Sequence, residues 1–469
     1  MRKSTIYLLL LILTITSCTK IKVTATQDLE VNNFIWKGLN TFYLWQNKVT
    51  DLADNRFLNL NGYHDFLGSE PNPVQFFENL LYQRNTIDKW SWIVEDYIAL
   101  ENSFQGTTLH NGMEFGLVFE NGSSTDVFAY VRYVLPNTDA SSKNLKRGMI
   151  FNYINGVKLN IDNYRNLLFS NANYTINLAN YNNGNPTTNG TSIALTKAEY
   201  TENPVFITKT INSNSKKIGY LMYNSFTTNF DDELNAAFLT LKNEGITDLI
   251  VDLRYNGGGS VRTAVYLSSM ITGQFPGQLF AKKKWNDKIV FSVSNLEEKF
   301  TNQINNGNIQ ESINSLSLDK VYFITTNSSA SASELVINGL KPYIDVKTIG
   351  TKTHGKYVAS ITLYDSPNLF NKENINPNHN WAMQPIVLEI KNKLGENSIE
   401  GFTPNIVLSE DYNNLGILGE TTDPLLQRTI TYITTGSKGR VLLNKNILTE
   451  FSNSKLALPT SNNMYVEIK

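Results

Sequence analysis

The sequence predicts a multidomain α/β protein, with an N-terminal helical domain, a β-rich domain and an α/β core that has a mainly parallel sheet. Three observations in chain order predict this architecture. Apolar residues recur at helical spacing near the N-terminus, short β-branched and aromatic runs follow, and strand-like and helix-like segments then alternate. The length of 469 residues also favours several domains over one.

The composition is that of an ordinary globular protein, and it argues against two classes of function. Lys and Arg number 41 against 42 Asp and Glu, so no basic bias indicates nucleic-acid binding. No cluster of His, Asp or Glu has metal-ligand spacing. The single cysteine, Cys18, can form neither an intramolecular disulfide nor a cysteine-based metal site. We therefore expect no metal, no cofactor and no nucleic-acid partner.

The first residues, MRKSTIYLLLLILTITSCTK, have the pattern of an export signal, here assigned to residues 1–17. Their apolar run, Ile6 to Leu13, is far shorter than the about 20 residues that span a bilayer. The run ends in ITSC, which resembles the bacterial lipobox, and this resemblance implies cleavage before Cys18 and lipidation of its sulfur. We therefore expect a lipid anchor in the bacterial cell envelope, at the outer membrane. A soluble secreted protein that discards Cys18 is the alternative.

The helical domain is expected to span residues 18–110. The segments NNFIWKGLNTFYLWQ and NPVQFFENLLYQ repeat apolar residues every three or four positions, as amphipathic helices do. Asn72 followed by Pro73 is typical of a helix start. Nothing in this part of the sequence has a catalytic pattern, so we assign it a packing role.

Residues 111–200 are expected to form the β-rich domain. FGLVFE, VFAYVRYVL and TINLANY read as strands, and NIDNYRNLLF reads as a helix. This order resembles a PDZ domain, and LKRGMIFNYING resembles its characteristic turn, although Met149 replaces the usual aspartate. The resemblance implies that a peptide adds to one strand as an extra strand and contacts Phe115, Gly116, Leu117 and Val118. Another kind of small β-rich domain is the alternative.

Residues 201–440 alternate strands and helices, which predicts the mainly parallel sheet of the core. The strands are IGYLMYNSF, DLIVDLRY, KVYFITT and VKTIGT, and the helices between them include FDDELNAAFLTLKNEG and SELVINGLKPY. Functional loops of such sheets lie beyond the carboxyl ends of the strands. The loops NGGGS and SSASASE both follow strands, so we expect them to meet at one edge. Residues 441–469 are assigned to a C-terminal extension.

The SSASASE loop allows two compatible interpretations of Ser331. With Glu334 it forms the S-x-x-E pattern of a capping box, which needs no catalysis to explain it. A serine at a helix start also lies beside free backbone N–H groups that can stabilise an oxyanion. Lys356, in THGK after the next strand, can reach the same sheet edge and act as a base if burial keeps it neutral. A solvated surface lysine is the alternative.

The motifs DLRYNGGG, SASASE and HGK, in this order, resemble those of the C-terminal processing (tail-specific) serine peptidases. In that family the middle serine of the second motif is the nucleophile, and a lysine 25 positions later is the base, which matches Ser331 and Lys356. The resemblance covers most of the chain after about residue 110. It implies a Ser-Lys peptidase core that follows a PDZ domain.

The same resemblance implies a role for each site residue. Ser331 attacks the peptide carbonyl, Lys356 removes and returns the proton, and the N–H of Ala332 with that of Gly258 or Gly259 holds the oxyanion. Ser360 stands where many members carry Gln or Glu to orient the lysine. We therefore expect an endopeptidase that cleaves peptides or protein tails, with a peptide or an unfolded protein as its substrate.

Two other functions stay open at this point. His354 beside Lys356 allows a Ser-His-Asp arrangement, although the chain lacks a G-x-S-x-G elbow. A catalytically weak or inactive relative that binds peptides or hydrophobic ligands is the second, and Ser360 leaves room for it. The fold also resembles that of the retinoid-binding relatives of these peptidases, which bind hydrophobic ligands without proteolysis.

Overall fold

The computed structural model describes residues 29–289, 296–307, 310–439, 448–458 and 460–467. The predicted export signal and Cys18 lie outside these ranges. Within them the chain forms several sheets and ten α-helices, an α/β architecture of the predicted multidomain kind. No helix in the described ranges combines the length and the hydropathy needed to cross a membrane.

The N-terminal part is helical and packs on the core of the molecule. Asn72 accepts hydrogen bonds from the N–H groups of the first helical turn that Pro73 opens, as the sequence predicts. Phe34 and Phe77 belong to the same buried cluster as Leu221 of the α/β unit. The elements are α1 (Glu30–Phe42), α2 (Leu60–Leu67), α3 (Pro73–Asn79), β1 (Trp92–Val94) and α4 (Tyr97–Phe104), with 3-10 turns at Gln46–Lys48 and Thr50–Leu52.

The next part is β-rich and has its own apolar core, which includes Val131, Phe151 and Ile176. Its elements are β2 (Thr107–His110), β3 (Met113–Phe119), β4 (Val127–Val134), α5 (Asp139–Ser142), β5 (Ile150–Ile154), β6 (Val157–Lys158), α6 (Tyr164–Phe169), β7 (Asn173–Asn180), a 3-10 turn (Asn182–Gly184), β8 (Thr187–Thr196) and β9 (Ala198–Thr201). The antiparallel main sheet has the order β3-β4-β5-β7-β8, with β6 paired to β5, whereas β2 and β9 pair separately.

A six-stranded sheet forms the centre of the α/β unit. Its elements are β10 (Val205–Ser213), β11 (Lys216–Tyr223), a 3-10 turn (Thr228–Phe230), α7 (Asp231–Asn243), β12 (Asp248–Asp252), β13 (Gly259–Ser260), α8 (Val261–Thr272), β14 (Leu279–Trp285), β15 (Glu297–Lys299), β16 (Gln303–Asn305), β17 (Gln310–Ser312), β18 (Lys320–Thr325), α9 (Ala332–Leu340), β19 (Asp345–Gly350), β20 (Val358–Ser360), β21 (Leu363–Tyr364), β22 (Ala382–Gln384), β23 (Ile386–Asn392), β24 (Ile406–Val407) and α10 (Pro424–Thr435). The central order is β10-β11-β12-β18-β19-β24, parallel except for β10.

Both faces of this central sheet are buried, as the near-continuous apolar strands require. Successive strand residues enter two different clusters, Leu221, Val251 and Phe323 in one, and Tyr220, Ile250 and Ile324 in the other. Helices α8 and α9 contribute to the first cluster and α10 to the second. The sheet is therefore a rigid platform from whose carboxyl edge the loops after β12 and β18 emerge.

The last described residues add strands to two other sheets. β25 (Glu450–Asn453) pairs with β3, a 3-10 turn covers Ser454–Ala457, and β26 (Met464–Tyr465) lies between β13 and β20. The second α/β-unit sheet thus has the order β13-β26-β20-β23-β14-β15. Smaller sheets join β1, β22 and β21, and β16 with β17.

A buried ionic network fixes the loop after β12 to the start of α10. The Arg254 guanidinium donates to Asp252 and, at 2.7 Å, to Asp423 Oδ2, and all three side chains are fully buried. A buried cation is tolerated only when its charge and its donors are satisfied. Loss of either carboxylate therefore destabilises this loop.

We expect Gly339→Ala in α9 to lower the free energy of unfolding by about 1–3 kcal/mol through overpacking. A β-carbon at this position comes 2.2 Å from the Phe280 ring, so either the ring or α9 must shift. The matched variant Gly62→Ala in α2 meets only Asn59, at 3.6 Å, and should raise stability by about 0.5–1 kcal/mol. Guanidinium denaturation measures both changes. Equal effects of the two variants contradict the close packing of α9 on β14.

Candidate active site

The loops that follow β12 and β18 are tied together by two serine hydroxyls. Ser329 Oγ donates to the Leu253 carbonyl at 2.7 Å, and Ser333 Oγ donates to the Asn256 carbonyl at 3.0 Å. Both serines are fully buried. The two loops therefore meet at one sheet edge, where these two hydrogen bonds hold them together.

Ser331 lies between these two serines and has a different environment. Its backbone has φ 65° and ψ −116°, a conformation that residues with a β-carbon rarely adopt. It immediately precedes α9, so the Ala332 N–H is the first of the helix. The Ser331 hydroxyl is buried and donates to the backbone carbonyl of Asn462 at 3.0 Å. Strain of this kind concentrates at functional sites.

Gly258 of the NGGGS loop lies directly against this serine. A β-carbon at Gly258 would come 2.5 Å from Ser331 Cβ and 3.0 Å from the Ala332 nitrogen, and its φ of +112° also favours glycine. Its own N–H donates to Asn256 Oδ1 at 2.9 Å in this conformation. At Gly259 a β-carbon would instead meet the Phe226 carbonyl, at 2.3 Å.

Glu334 connects the serine loop to the lysine loop. Its Oε2 accepts hydrogen bonds from the backbone N–H groups of Ser331 and Lys356, both at 2.9 Å. Its Oε1 accepts from the Thr353 hydroxyl at 2.6 Å and from the Gly355 N–H at 2.7 Å. Burial raises the pKa of Glu334 to about 7, and these four donors act in the opposite direction. Because all four partners are donors, the arrangement fits the carboxylate form.

Lys356 is buried, with 1% of its surface exposed. Burial lowers the pKa of its amine to about 7, although the negative charges of Asp88 and Glu334 partly oppose this shift. A neutral amine is therefore accessible near neutral pH, which a base requires. Gly355 permits the close approach of the neighbouring loop, because a β-carbon there would lie 2.7 Å from the Ile399 carbonyl.

The N-terminal part supplies one wall of the lysine environment, which the sequence patterns did not indicate. Lys356 Nζ lies 6.0 Å from the centroid of the Trp90 ring. Buried Asp88 accepts hydrogen bonds from the Tyr43 hydroxyl at 2.7 Å and from the Trp90 N–H at 3.0 Å. The helical periodicity of this region predicts packing only. Its contribution to the site depends on contacts hundreds of residues apart in the chain.

Ser360 and His354 are the polar residues near Lys356 whose roles the sequence leaves open. The Ser360 hydroxyl lies 2.5 Å from Gln384 Oε1 and 3.0 Å from Asn463 Oδ1. Burial and the positive charge of Lys356 lower the pKa of His354. Within the described part of the chain, neither residue forms a hydrogen bond to Ser331, and the Lys356 amine likewise forms none to the Ser331 hydroxyl.

The predicted peptide-binding residues Phe115, Gly116, Leu117 and Val118 lie on β3. One edge of β3 pairs with β4, and the other edge pairs antiparallel with β25. The edge expected to receive a peptide is thus covered by residues 450–453 of the same chain. Over the described ranges, no group of three or more His, Cys, Asp or Glu side chains is arranged to hold a metal ion.

Two solved structures with similar folds are proteases. An S41 protease from Bacteroides fragilis aligns with a TM-score of 0.64 and 24% identity, over 86% of this chain and 97% of that one. A photosystem II D1 C-terminal processing protease aligns with a TM-score of 0.50 and 17% identity, over 89% of this chain and 100% of that one. At these identities the similarity establishes the fold, that of multidomain α/β S41 proteases.

Family models then identify the chain more closely. Residues 217–407 match peptidase family S41, and residues 30–92 match the peptidase S41 N-terminal domain. These two matches together span more than half of the chain, which therefore belongs to the S41 peptidase family. The resemblance that the three motifs indicate is confirmed at this level.

Curated relatives match only part of the chain. A CtpA-like serine protease of Staphylococcus epidermidis is 29% identical over 145 residues, which are 31% of this chain and 26% of the relative. A CtpA-like serine protease of Staphylococcus aureus is 29% identical over 146 residues, again 31% and 26%. The chain thus matches about a quarter of the length of these relatives.

We expect Lys356→Met to raise the free energy of unfolding by about 3 kcal/mol below pH 7, because wild type must bury a charge there. The folded pKa of about 7 lies below the unfolded value of about 10.4, so wild type regains this stability as the pH rises from 7 toward 10. Guanidinium denaturation between pH 6 and 9.5 measures the difference, which should shrink with pH.

The matched control is Lys283→Met. Lys283 is also buried, but its amine pairs with Glu298 at 2.5 Å, so removal of the amine should lower stability. An Lys356→Met protein that is less stable than wild type at pH 6 contradicts the depressed lysine pKa.

Proposed function

We propose that this protein is a serine endopeptidase that cleaves peptides or protein tails through Ser331 and Lys356. The observation that carries the proposal is the buried Lys356 amine, whose pKa is lowered to about 7. The backbone N–H groups of Lys356 and Ser331 also donate to the same oxygen, Glu334 Oε2. Membership in the S41 family supports the reaction class. The strained backbone of Ser331 supports its assignment over Ser329 and Ser333, whose hydroxyls instead hold the two loops together through the carbonyls of Leu253 and Asn256.

The reaction follows from these groups. The neutral Lys356 amine takes the proton of the Ser331 hydroxyl as Oγ bonds to the carbonyl carbon of the scissile peptide. The resulting ammonium then gives this proton to the departing amine nitrogen when the C–N bond breaks, which leaves an ester on Ser331. Water attacks this ester, again with proton transfer through Lys356, and releases the acid product. The hydroxyl must first exchange its hydrogen bond to Asn462 for one to the lysine.

The oxyanion of the tetrahedral intermediate needs preorganised donors close to Ser331. We assign the Ala332 N–H, at the first turn of α9, and one N–H of the Gly258–Gly259 pair. The 3.0 Å between the Ala332 nitrogen and the β-carbon position of Gly258 supports this pairing. Gly258 must release its hydrogen bond to Asn256 to take part, whereas use of Gly259 leaves that bond intact.

We also propose a division of labour along the chain. Residues 18–110 form a helical packing domain, residues 111–200 a PDZ-like domain that binds peptides along β3, residues 201–440 the peptidase core, and residues 441–469 an extension. The antiparallel pairing of β25 with β3 supports a strand-binding edge at Phe115–Val118. The lipobox resemblance of ITSC supports anchoring through lipidated Cys18 in the bacterial outer membrane, after removal of residues 1–17.

A second candidate function is that of a catalytically weak relative that binds peptides or hydrophobic ligands. The observation that favours it is the Ser331 hydroxyl bound to Asn462 rather than to the lysine. Ser360, which bonds Gln384 and Asn463 in place of orienting the lysine, points the same way.

We expect a fluorophosphonate probe to label wild type and to leave Ser331→Ala unlabelled, because only the activated hydroxyl reacts. Lys356→Ala should reduce hydrolysis of fluorogenic peptides by at least about 10²-fold, since the serine loses its base. His354→Ala is the matched control and should retain activity within about threefold. Peptides with free and amidated C-termini test the preference for tails.

Labelling of Ser331→Ala, or loss of activity only in His354→Ala, contradicts the dyad. Peptide binding without hydrolysis supports the second candidate.

We expect Cys18→Ser to abolish lipid attachment when the full-length chain is expressed in a bacterium. The serine cannot form the thioether to diacylglycerol, so the protein should leave the membrane fraction. Incorporation of radiolabelled palmitate and membrane fractionation measure this change, with Ser17→Ala as a neighbouring control. Palmitate incorporation that persists in Cys18→Ser contradicts the proposed anchor.

A further inference from the structure

The last described residues, 448–458 and 460–467, form a segment that we call the closing segment. It runs from the β-rich part to the candidate active site and contacts both. Its strand β25 pairs with β3 in antiparallel register, with Asn453 opposite Gly116, Ser452 opposite Leu117 and Glu450 opposite Val118. Gly116, Leu117 and Val118 are among the residues of β3 that are expected to receive an extended peptide. The segment therefore lies where a peptide ligand of this sheet edge would lie.

Phe451 anchors the closing segment in the apolar core of the β-rich part. Its ring lies 4.7 Å from the ring of Phe119 on β3 and 5.5 Å from that of Tyr164 on α6, measured between centroids. One aromatic side chain thus fills a position between a strand and a helix, as a side chain of a bound peptide does in strand addition. Aromatic burial of this kind contributes most of the energy of such anchors.

Glu450 adds a charged contact beside this anchor. Its carboxylate accepts hydrogen bonds from the Arg132 guanidinium and the Tyr130 hydroxyl of β4. Arg132 is buried and also donates to Ser328 Oγ at 2.9 Å, in the loop that carries Ser331. Withdrawal of Glu450 would leave a buried cation without its carboxylate, which is costly. This contact therefore favours the conformation in which the closing segment stays in place.

Twelve residues after Glu450, the same segment contacts the candidate nucleophile. The Asn462 carbonyl accepts the hydrogen bond of the Ser331 hydroxyl at 3.0 Å. The Asn463 carbonyl oxygen lies 2.7 Å from the β-carbon position of Gly258, the same corner that contains the Ala332 nitrogen. β26 follows directly and fills the gap between β13 and β20. Backbone carbonyls of the chain itself thus occupy space beside the Ser331 hydroxyl and Gly258.

We propose that the closing segment is an intramolecular competitor of substrate, which occupies the β3 edge and the Ser331 hydroxyl together and must move before either can bind a peptide. This proposal rests on the peptidase function proposed above. A cavity of about 110 Å³ borders the segment, and its lining includes Arg132, Gly258, Asn453 and Asn462. Hydrogen bonds hold the segment at Ser454, Lys455 and Asn462, and a substrate that supplies its own strand can replace contacts of this kind.

A reversible crosslink tests the proposal on the full chain. Ser103 Oγ on α4 lies 3.2 Å from Thr460 Oγ1 in the closing segment, so cysteines at these two positions are placed to form a disulfide. We expect Ser103→Cys/Thr460→Cys, in a Cys18→Ser background, to lose fluorophosphonate labelling of Ser331 and peptide hydrolysis by at least about tenfold when oxidised. Reduction should restore both.

Thr107→Cys/Thr201→Cys is the matched control. These hydroxyl oxygens lie 2.8 Å apart between β2 and β9, outside the closing segment, so oxidation should not change the rates. Independently of the crosslink, Phe451→Ala should increase the labelling rate severalfold, because it removes the aromatic anchor.

The outcomes separate the two proposals. Equal rates in the oxidised and reduced Ser103→Cys/Thr460→Cys protein, or a Phe451→Ala protein that labels no faster than wild type, overturn the intramolecular competitor and leave the peptidase function standing. A chain that is neither labelled nor active, even when reduced and carrying Phe451→Ala, overturns the proposed peptidase function itself.

Discussion

The carboxylate of Glu334 is the contact on which the arrangement of the candidate site depends. One of its oxygens accepts the N–H groups of Ser331 and Lys356, and the other accepts the Thr353 hydroxyl and the Gly355 N–H. Glu334 therefore holds the serine loop and the lysine loop, which follow neighbouring strands, together at one buried carboxylate. The same bond to Ser331 is half of a capping box, so a local helix-start device also sets the spacing between a candidate nucleophile and its base.

Several charged groups are buried around this carboxylate. Because their loss of hydration costs free energy, the surrounding backbone has to be held by many contacts. Glu334 and Lys356 both lose hydration, and their pKa values move toward neutrality from opposite sides. Such a pair disfavours folding unless a rigid frame imposes it. The parallel strands, buried on both faces, and the Arg254 contacts to Asp252 and Asp423 provide that frame. Strain at Ser331 is supported in the same way.

Four parts of the chain converge on one place. The core supplies the serine, glycine and lysine loops, the N-terminal part places Trp90 beside Lys356, and the β-rich part reaches the serine loop through Arg132 and Ser328. The closing segment then connects the β3 edge with Ser331 through a single stretch of backbone. In the proposed competition, displacement of this stretch at the β3 edge also loosens its contact with Ser331.

The sequence alone determined those elements and motifs that depend on residues close together in the chain. Helical periodicity and the Asn72–Pro73 cap predict the N-terminal helices, and short loops after apolar strands predict that Gly258 and Ser331 approach each other, because neighbouring parallel strands end at one edge. Asp88, Trp90, Asn462 and the pairing of β25 with β3 follow no local pattern. They lie far along the chain from Ser331, and β13 and β26 have only two residues each. Only the tertiary structure decided these contacts, because packing between distant segments, rather than periodicity or turn chemistry, brings them together.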